Sequence, residues 1–166
     1  MDELILVLFR MRHSTYAQPL PDNLIRNAAF GISDHNLQLS GGFFVMPEQA
    51  AAGLWTTPTD LALFGIEIMK ALRNESMWLS RSSAAVMTTP LSDGYPYGVG
   101  LAITEYASGL NFGHGGSNYG YRCMMRFSPD DGSGIVVMLN SYIGAVIIRE
   151  VMAAYEKVVG WIPVSG

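Results

Sequence analysis

The sequence predicts an α+β fold in which two helices precede an antiparallel β-meander and a last helix packs on that meander. Three observations carry the expectation. Apolar residues recur at helical spacing from Leu61 to Leu72 and again from Ala145 to Val159. Between Tyr97 and Leu139 the spacing changes to alternation of bulky with small or polar residues. The connections between those alternating runs are short, which favours antiparallel neighbours.

The chain opens with Met1-Asp2-Glu3, an apolar run from Leu4 to Phe9, and Arg10. The run is too short to span a bilayer. Acidic residues in front and no small-residue cleavage site argue against a signal peptide. A short buried helix or strand is expected. Positions 17–52 lack steady periodicity and are rich in turn formers such as Pro19, Pro21, Asp22-Asn23, Gly31 and Gly41-Gly42. They read as a long irregular excursion with short strands.

A helix start follows at Thr57, with Pro58 in the first turn and Asp60 near the positive end. Leu61, Phe64, Gly65, Ile68 and Leu72 share one face. Lys70 and Arg73 suit the C-terminal end. Ser80 to Met87 reads as a shorter helix stopped by Thr88-Thr89-Pro90. Tyr97, Val99, Leu101 and Ile103 then alternate with Gly98, Gly100, Ala102 and Thr104, so one strand face is bulky and the other nearly bare. Tyr121, Cys123, Met125 and Phe127 alternate with Arg122, Met124 and Arg126. Pro129-Asp130-Asp131-Gly132 is a turn. Ile135 to Leu139 is an apolar run suited to a more buried strand. In the last helix Ile147, Ile148, Val151, Met152, Tyr155 and Val159 form the apolar side, and Gly160 is the stop.

At 166 residues the chain is long enough for one domain with a core, read here as a single partial domain over 1–166. Hydrophobic residues make up 49% and charged ones 14%, which fits a folded chain with a sticky or partner-covered face. The formal charge of −4, with no basic cluster, argues against nucleic acid as a partner. Cys123 is the single cysteine, so no internal disulfide forms. His13, His35 and His114 are far apart and show no metal-ligand spacing.

The stretch that carries chemistry is Phe112-Gly113-His114-Gly115-Gly116-Ser117-Asn118-Tyr119-Gly120. Its glycines let a backbone approach another molecule closely. Two readings stand: a ligand-facing strand end, or a glycine-rich hairpin with an ordinary histidine. The wider pattern decides between them. His114-Gly115-Gly116 resembles the third motif of the β-lactamase-like, penicillin-recognising serine hydrolases, whose three motifs run Ser-x-x-Lys, Tyr-x-Asn or Ser-x-Asn, then Lys-Thr-Gly or His-x-Gly. Gly53-Leu54-Trp55-Thr56-Thr57-Pro58-Thr59-Asp60-Leu61 resembles the family's Gly-Leu-x-x-Thr-x-x-Asp-Leu helix start. Met11-Arg12-His13-Ser14-Thr15 resembles the segment that follows Pro-Leu-Gly in the family. The family's last strand and helix match Gly134 to Tyr155. The resemblance covers the chain from about Met11 onward and implies a partial β-lactamase/transpeptidase-like fold.

The first two motifs are missing. The only lysines are Lys70 and Lys157, and the residues three before them are Glu67 and Ala154. No Tyr-x-Asn or Ser-x-Asn occurs, and Asp34-His35-Asn36 is the nearest look-alike. Leu8-Phe9-Arg10 stands where Pro-Leu-Gly is expected. The resemblance therefore implies a C-terminal portion of a hydrolase from which the nucleophile-bearing part is absent, as if the sequence starts inside the fold.

In the intact family a serine attacks an amide or ester carbonyl and forms an acyl-enzyme. By that resemblance His114, Gly115 and Gly116 are a third-motif remnant, with no complete catalytic set. The backbone N–H of Ser117 is one oxyanion donor. His114, Ser117, Asn118 and Tyr119 are the substrate-binding residues. No metal or cofactor is implied. Cys123 is expected to point into the core. Ser117 and His114 are expected on opposite strand faces, and no Gly-x-Ser-x-Gly elbow offers a lipase-like route.

The function expected is a fragment of a serine hydrolase that is inactive alone. The alternative is a non-catalytic binding or self-associating module using the remnant cleft. Substrate class stays open among β-lactams, peptides and small esters. The family pairs an N-terminal strand beside the strand matching Ile135 to Asn140. Its absence is expected to expose a sheet edge, inviting an N-terminal partner, a homo-oligomer or aggregation.

Overall fold

A computed structural model describes residues 2–164, so the single-domain reading over 1–166 extends past both of its ends. A π-helical turn, Asp2–Leu6, opens the chain. Leu6, Phe9 and Met11 are buried together, while Leu4 and Val7 face outward. The expected short apolar element is thus a half-buried helical turn.

Two single-turn helices follow, α1 (Asp22–Ile25) and α2 (Gln49–Ala52). The irregular excursion holds these turns and an isolated bridge at Ile32–Gln38, with a second bridge, Thr15–Trp55, across its two ends, in place of the short strands expected. Polar turn formers satisfy the backbone locally here, and no apolar alternation holds a ladder.

Helix α3 (Pro58–Leu72) begins as expected: the Thr57 hydroxyl accepts from the Asp60 N–H at 3.1 Å, with Pro58 in the first turn. Helix α4 (Arg81–Thr88) is capped by Ser80, whose hydroxyl accepts from the Ser83 N–H at 3.0 Å. Then come β1 (Ala102–Tyr106), β2 (Gly109–Asn118), β3 (Tyr121–Phe127) and β4 (Gly134–Leu139), and helix α5 (Ala145–Val159) ends at Gly160 with φ +78°. The strands form one antiparallel sheet in the order β1-β2-β3-β4, the expected meander.

Strand parity sends Met125 and Phe127 to one face, where they pack with Ile68 and Met69 of α3 and with Phe112, Ile103 and Leu101. Arg126 and Met124 take the other face, beneath Ile148 and Met152 of α5. The sheet is therefore covered by α3 and α4 on one side and α5 on the other. Phe127 centres the core. Its ring stacks on Phe112 at 5.5 Å and fills the space that side chains at Gly65 and Gly134 would need. On the α5 face the Arg126 guanidinium binds Glu156 at 2.6 Å, and the Tyr106 hydroxyl donates to the same carboxylate at 2.7 Å. Burial first, then that bond to Glu156, pushes the Tyr106 phenol up to about 12.

Three expectations are corrected. The alternating run before Ala102 is not strand: Tyr97 and Val99 are exposed, and only Leu101 and Ile103 reach the core. The bare face at Gly98 meets α4, since a Cβ there would lie 2.1 Å from Met87 O. Strand β4 is half-buried throughout, because among the described residues no strand lies on its outer side. Ile147 and Val151 of α5 point outward, while Ile148 and Met152 are buried.

Candidate functional site

The site is built on the upper part of β2. Strand β1 accompanies β2 only as far as Gly113, which pairs with Ala102. From His114 to Asn118 the strand has β3 on one side and, among the described residues, no strand on the other, which leaves that edge open. The two-residue turn Tyr119-Gly120, with φ +85° at Gly120, joins β2 to β3. So tight a turn makes Asn118 and Tyr121 the hydrogen-bonded closing pair. By alternation Ser117–Arg122 and Gly115–Met124 are non-hydrogen-bonded pairs. The N–H and C=O groups of Gly115 and Ser117 therefore point away from β3, toward the open edge.

Side-chain parity splits the predicted residues. His114 pairs with Met125, so His114, Gly116 and Asn118 lie on the α3 face. Gly115 and Ser117 lie on the α5 face. His114 and Ser117 are both exposed. The Asn118 amide is engaged, donating to Ala52 O at 3.0 Å. Tyr119 sits in the turn. Its hydroxyl donates to Asp34 at 2.8 Å, and its ring lies 5.1 Å from Tyr142 and 5.9 Å from Phe44. That bond lowers Asp34 below the ordinary carboxylate range and raises the Tyr119 phenol. The four residues named from sequence thus share one strand end without forming one cluster of side chains.

The glycines have different reasons. A Cβ on Gly113 would lie 2.1 Å from Met125 O, so the pairing of β2 with β3 requires glycine there. A Cβ on Gly115 would meet the flexible Met124 side chain at 3.2 Å and Cys123 O at an ordinary contact distance of 3.8 Å. The smallness of Gly115 is therefore not dictated by the sheet.

Two supports escaped the sequence reading. The Arg122 guanidinium donates to Asn118 O and Tyr121 O, each at 2.8 Å, and lies 4.3 Å over the Tyr142 ring. It clamps the turn, and its alternation on β3 showed only that it faces away from the core. Asp60 was legible as a helix-start acid, but its larger role was not. Its carboxylate is 2% exposed and accepts from the His13 N–H at 2.7 Å and the Ser14 hydroxyl at 2.8 Å. It thereby ties the Met11–Thr15 segment to α3. His13, Ser14 and Asp60 do not make a proton relay. The imidazole Nδ1 lies 3.6 Å from the carboxylate, and the Ser14 proton goes to that same carboxylate.

Cys123 faces the α3 side half-buried, and burial pushes its thiol up, away from nucleophilic use. Among the described residues no group of three or more His, Cys, Asp or Glu side chains could hold a metal ion, and no helix is long and apolar enough to cross a membrane.

The geometry agrees with what the chain is similar to. A family model described as Beta-lactamase matches residues 1–148. A class C β-lactamase mutant superposes with a TM-score of 0.76 at 17% identity, over 96% of this chain and 50% of that one. The octameric penicillin-binding protein homologue from Pyrococcus abyssi gives 0.72 at 20%, over 98% and 37%. A D-stereospecific amidohydrolase from Streptomyces sp. gives 0.71 at 20%, over 92% and 46%. No curated protein matches the chain by sequence. At these identities the structures establish the fold, and the chain spans half or less of their length. With the family model covering most of the sequence and the meander in place, the chain belongs to the β-lactamase family.

Proposed function

We propose that this chain supplies one wall of an acyl-transfer cleft and is inactive without a separately supplied nucleophile. The observation that carries the reading is the outward-facing Ser117 N–H on the open edge of β2, three residues after His114. A carbonyl oxygen laid along that edge would accept from Ser117 as it becomes an oxyanion. His114, on the α3 face, would meet the substrate or its leaving-group side. Ser117, Asn118 and Tyr119 would border the bound molecule, with Asn118 acting through its hold on Ala52 and Tyr119 through Asp34. One donor without a nucleophile and its base cannot form an acyl-enzyme. Amide or ester carbonyls are the substrate class, in keeping with the amidohydrolase and penicillin-binding protein homologue of similar fold.

The test is turnover. The pure chain is expected to leave nitrocefin and p-nitrophenyl esters unhydrolysed. Robust turnover that survives Ser117→Ala would overturn the inactivity. A second reading, binding without catalysis, draws on the same open edge. It expects saturable binding of a D-alanyl peptide or β-lactam, weakened by His114→Ala.

A further inference from the structure

A groove runs between helix α5 and the flank of the sheet that carries β1 and β2. Glu156 marks that flank. Its carboxylate meets Arg126 of β3 at 2.6 Å and accepts from the Tyr106 hydroxyl of β1 at 2.7 Å. Its neighbour Tyr155 turns the other way and bonds Gly134 O of β4. The groove therefore opens away from β4. Its cavity of about 240 Å³ is floored by Met124 and Arg126, with Ile148, Arg149, Met152, Ala153 and Glu156 along the helix side.

Two glycines of β2 make the space. Gly113 pairs with Arg126 and Gly115 with Met124, and strand alternation turns all four toward α5. At those two positions β2 adds no side chain beside the floor. A Cβ on Gly115 would meet the Met124 side chain at 3.2 Å, so a larger residue there would press on the floor. The lining is part apolar and part cationic. Met124, Ile148 and Met152 are apolar, and the two methionines adapt readily to an occupant. Arg126 has Glu156 as its counter-ion. Arg149 lies two turns before Glu156 on the same flank, and among the described residues it has no carboxylate partner. Arg126 and Arg149 against Glu156 leave the lining at +1.

We propose that this groove binds a small amphipathic carboxylate, its head on the Arg149 guanidinium and its aliphatic tail along Met124, Ile148 and Met152. Charge complementarity selects an anion, because one guanidinium of the lining is uncompensated. Its planar fork matches the two oxygens of a carboxylate. The three apolar side chains select a tail that leaves water. The volume keeps the ligand small, since sites for drug-sized molecules run to about 300–1,000 Å³. A medium-chain fatty-acid anion has this form. The proposal does not depend on the acyl-transfer reading, which turnover tests separately.

An amide NMR titration of the chain with sodium octanoate, kept below its micelle concentration, tests it. Saturable shifts are expected at Met124, Arg126, Arg149 and Ala153. Arg149→Gln should weaken binding about tenfold, through loss of a charge-assisted bond. Ala153→Phe should abolish binding by filling the groove. Both positions are exposed, so far-UV circular dichroism should stay unchanged in either variant. Octanol, with the tail and no charge, should bind about tenfold more weakly than octanoate. Acetate, with the charge and no tail, should not bind. Absence of saturable shifts at millimolar octanoate overturns the proposal. So do shifts that fall outside the groove, or binding that both variants retain. Octanol binding as tightly as octanoate also overturns it, by showing that Arg149 reads no head group.

Discussion

The two halves of β2 are continuous in sequence and opposite in use. From Gly109 to Gly113 the strand pairs with β1, joined at Phe112 and Gly113 by β3 on the other side, and Phe112 is almost completely buried. From His114 to Asn118 it has one neighbour, and His114, Gly115 and Ser117 are exposed. Glycine appears in both halves for different reasons. Gly113 lets two backbones meet, while a side chain at Gly115 would need only a small shift of Met124. The lower half builds the fold, and the upper half leaves exposed side chains beside an edge with no strand partner among the described residues.

The largest effect should come from breaking the lower half. Phe127→Ala removes the ring that stacks on Phe112, and should cost about 3–5 kcal/mol in urea unfolding. Gly65→Ala comes next. Its Cβ would lie 2.2 Å from the Phe127 ring, which cannot retreat because Gly134 bounds its other side. A loss of about 1–3 kcal/mol is expected, and a neutral result would show that the core repacks.

A subtler effect sits on the α5 face. The Tyr106 phenol is raised from 10.0 to about 12, so the unfolded chain ionises first. Stability from this group is full below pH 10 and is lost as pH rises toward 12. Denaturant melts across that range should show the decline, and Tyr106→Phe should flatten it. The smallest effect on stability belongs to the upper half. His114→Ala should change unfolding free energy by no more than about 0.5 kcal/mol. A large loss there would erase the contrast between the two halves.

The sequence made the meander legible because alternation and short turns are local signals. Thr57, Pro58 and Asp60 announced α3 for the same reason, and Gly160 announced the end of α5. What it could not show was which side of an apolar run would be covered. Ile135–Leu139 reads like a buried strand, yet among the described residues no strand pairs with the outer side of β4. Ile147 and Val151 read like core, yet they face outward. Partner coverage is a tertiary property, and hydrophobicity alone does not report it. The candidate residues read as one stretch of chain, and the structure keeps them on one strand end without drawing their side chains into a cluster. His114 and Ser117 were expected on opposite faces, and the register of β2 on β3 places them so. The engagement of Tyr119 with Asp34, 85 residues away, left no local trace.

The contrast within β2 is tested most directly by an amide NMR titration of the chain with a D-alanyl-D-alanine peptide. The account predicts saturable shifts at the Gly115 and Ser117 N–H groups, little change at Phe112, and loss of the response in His114→Ala. Silence along His114–Tyr119 at millimolar peptide, or shifts confined to α5, would contradict it.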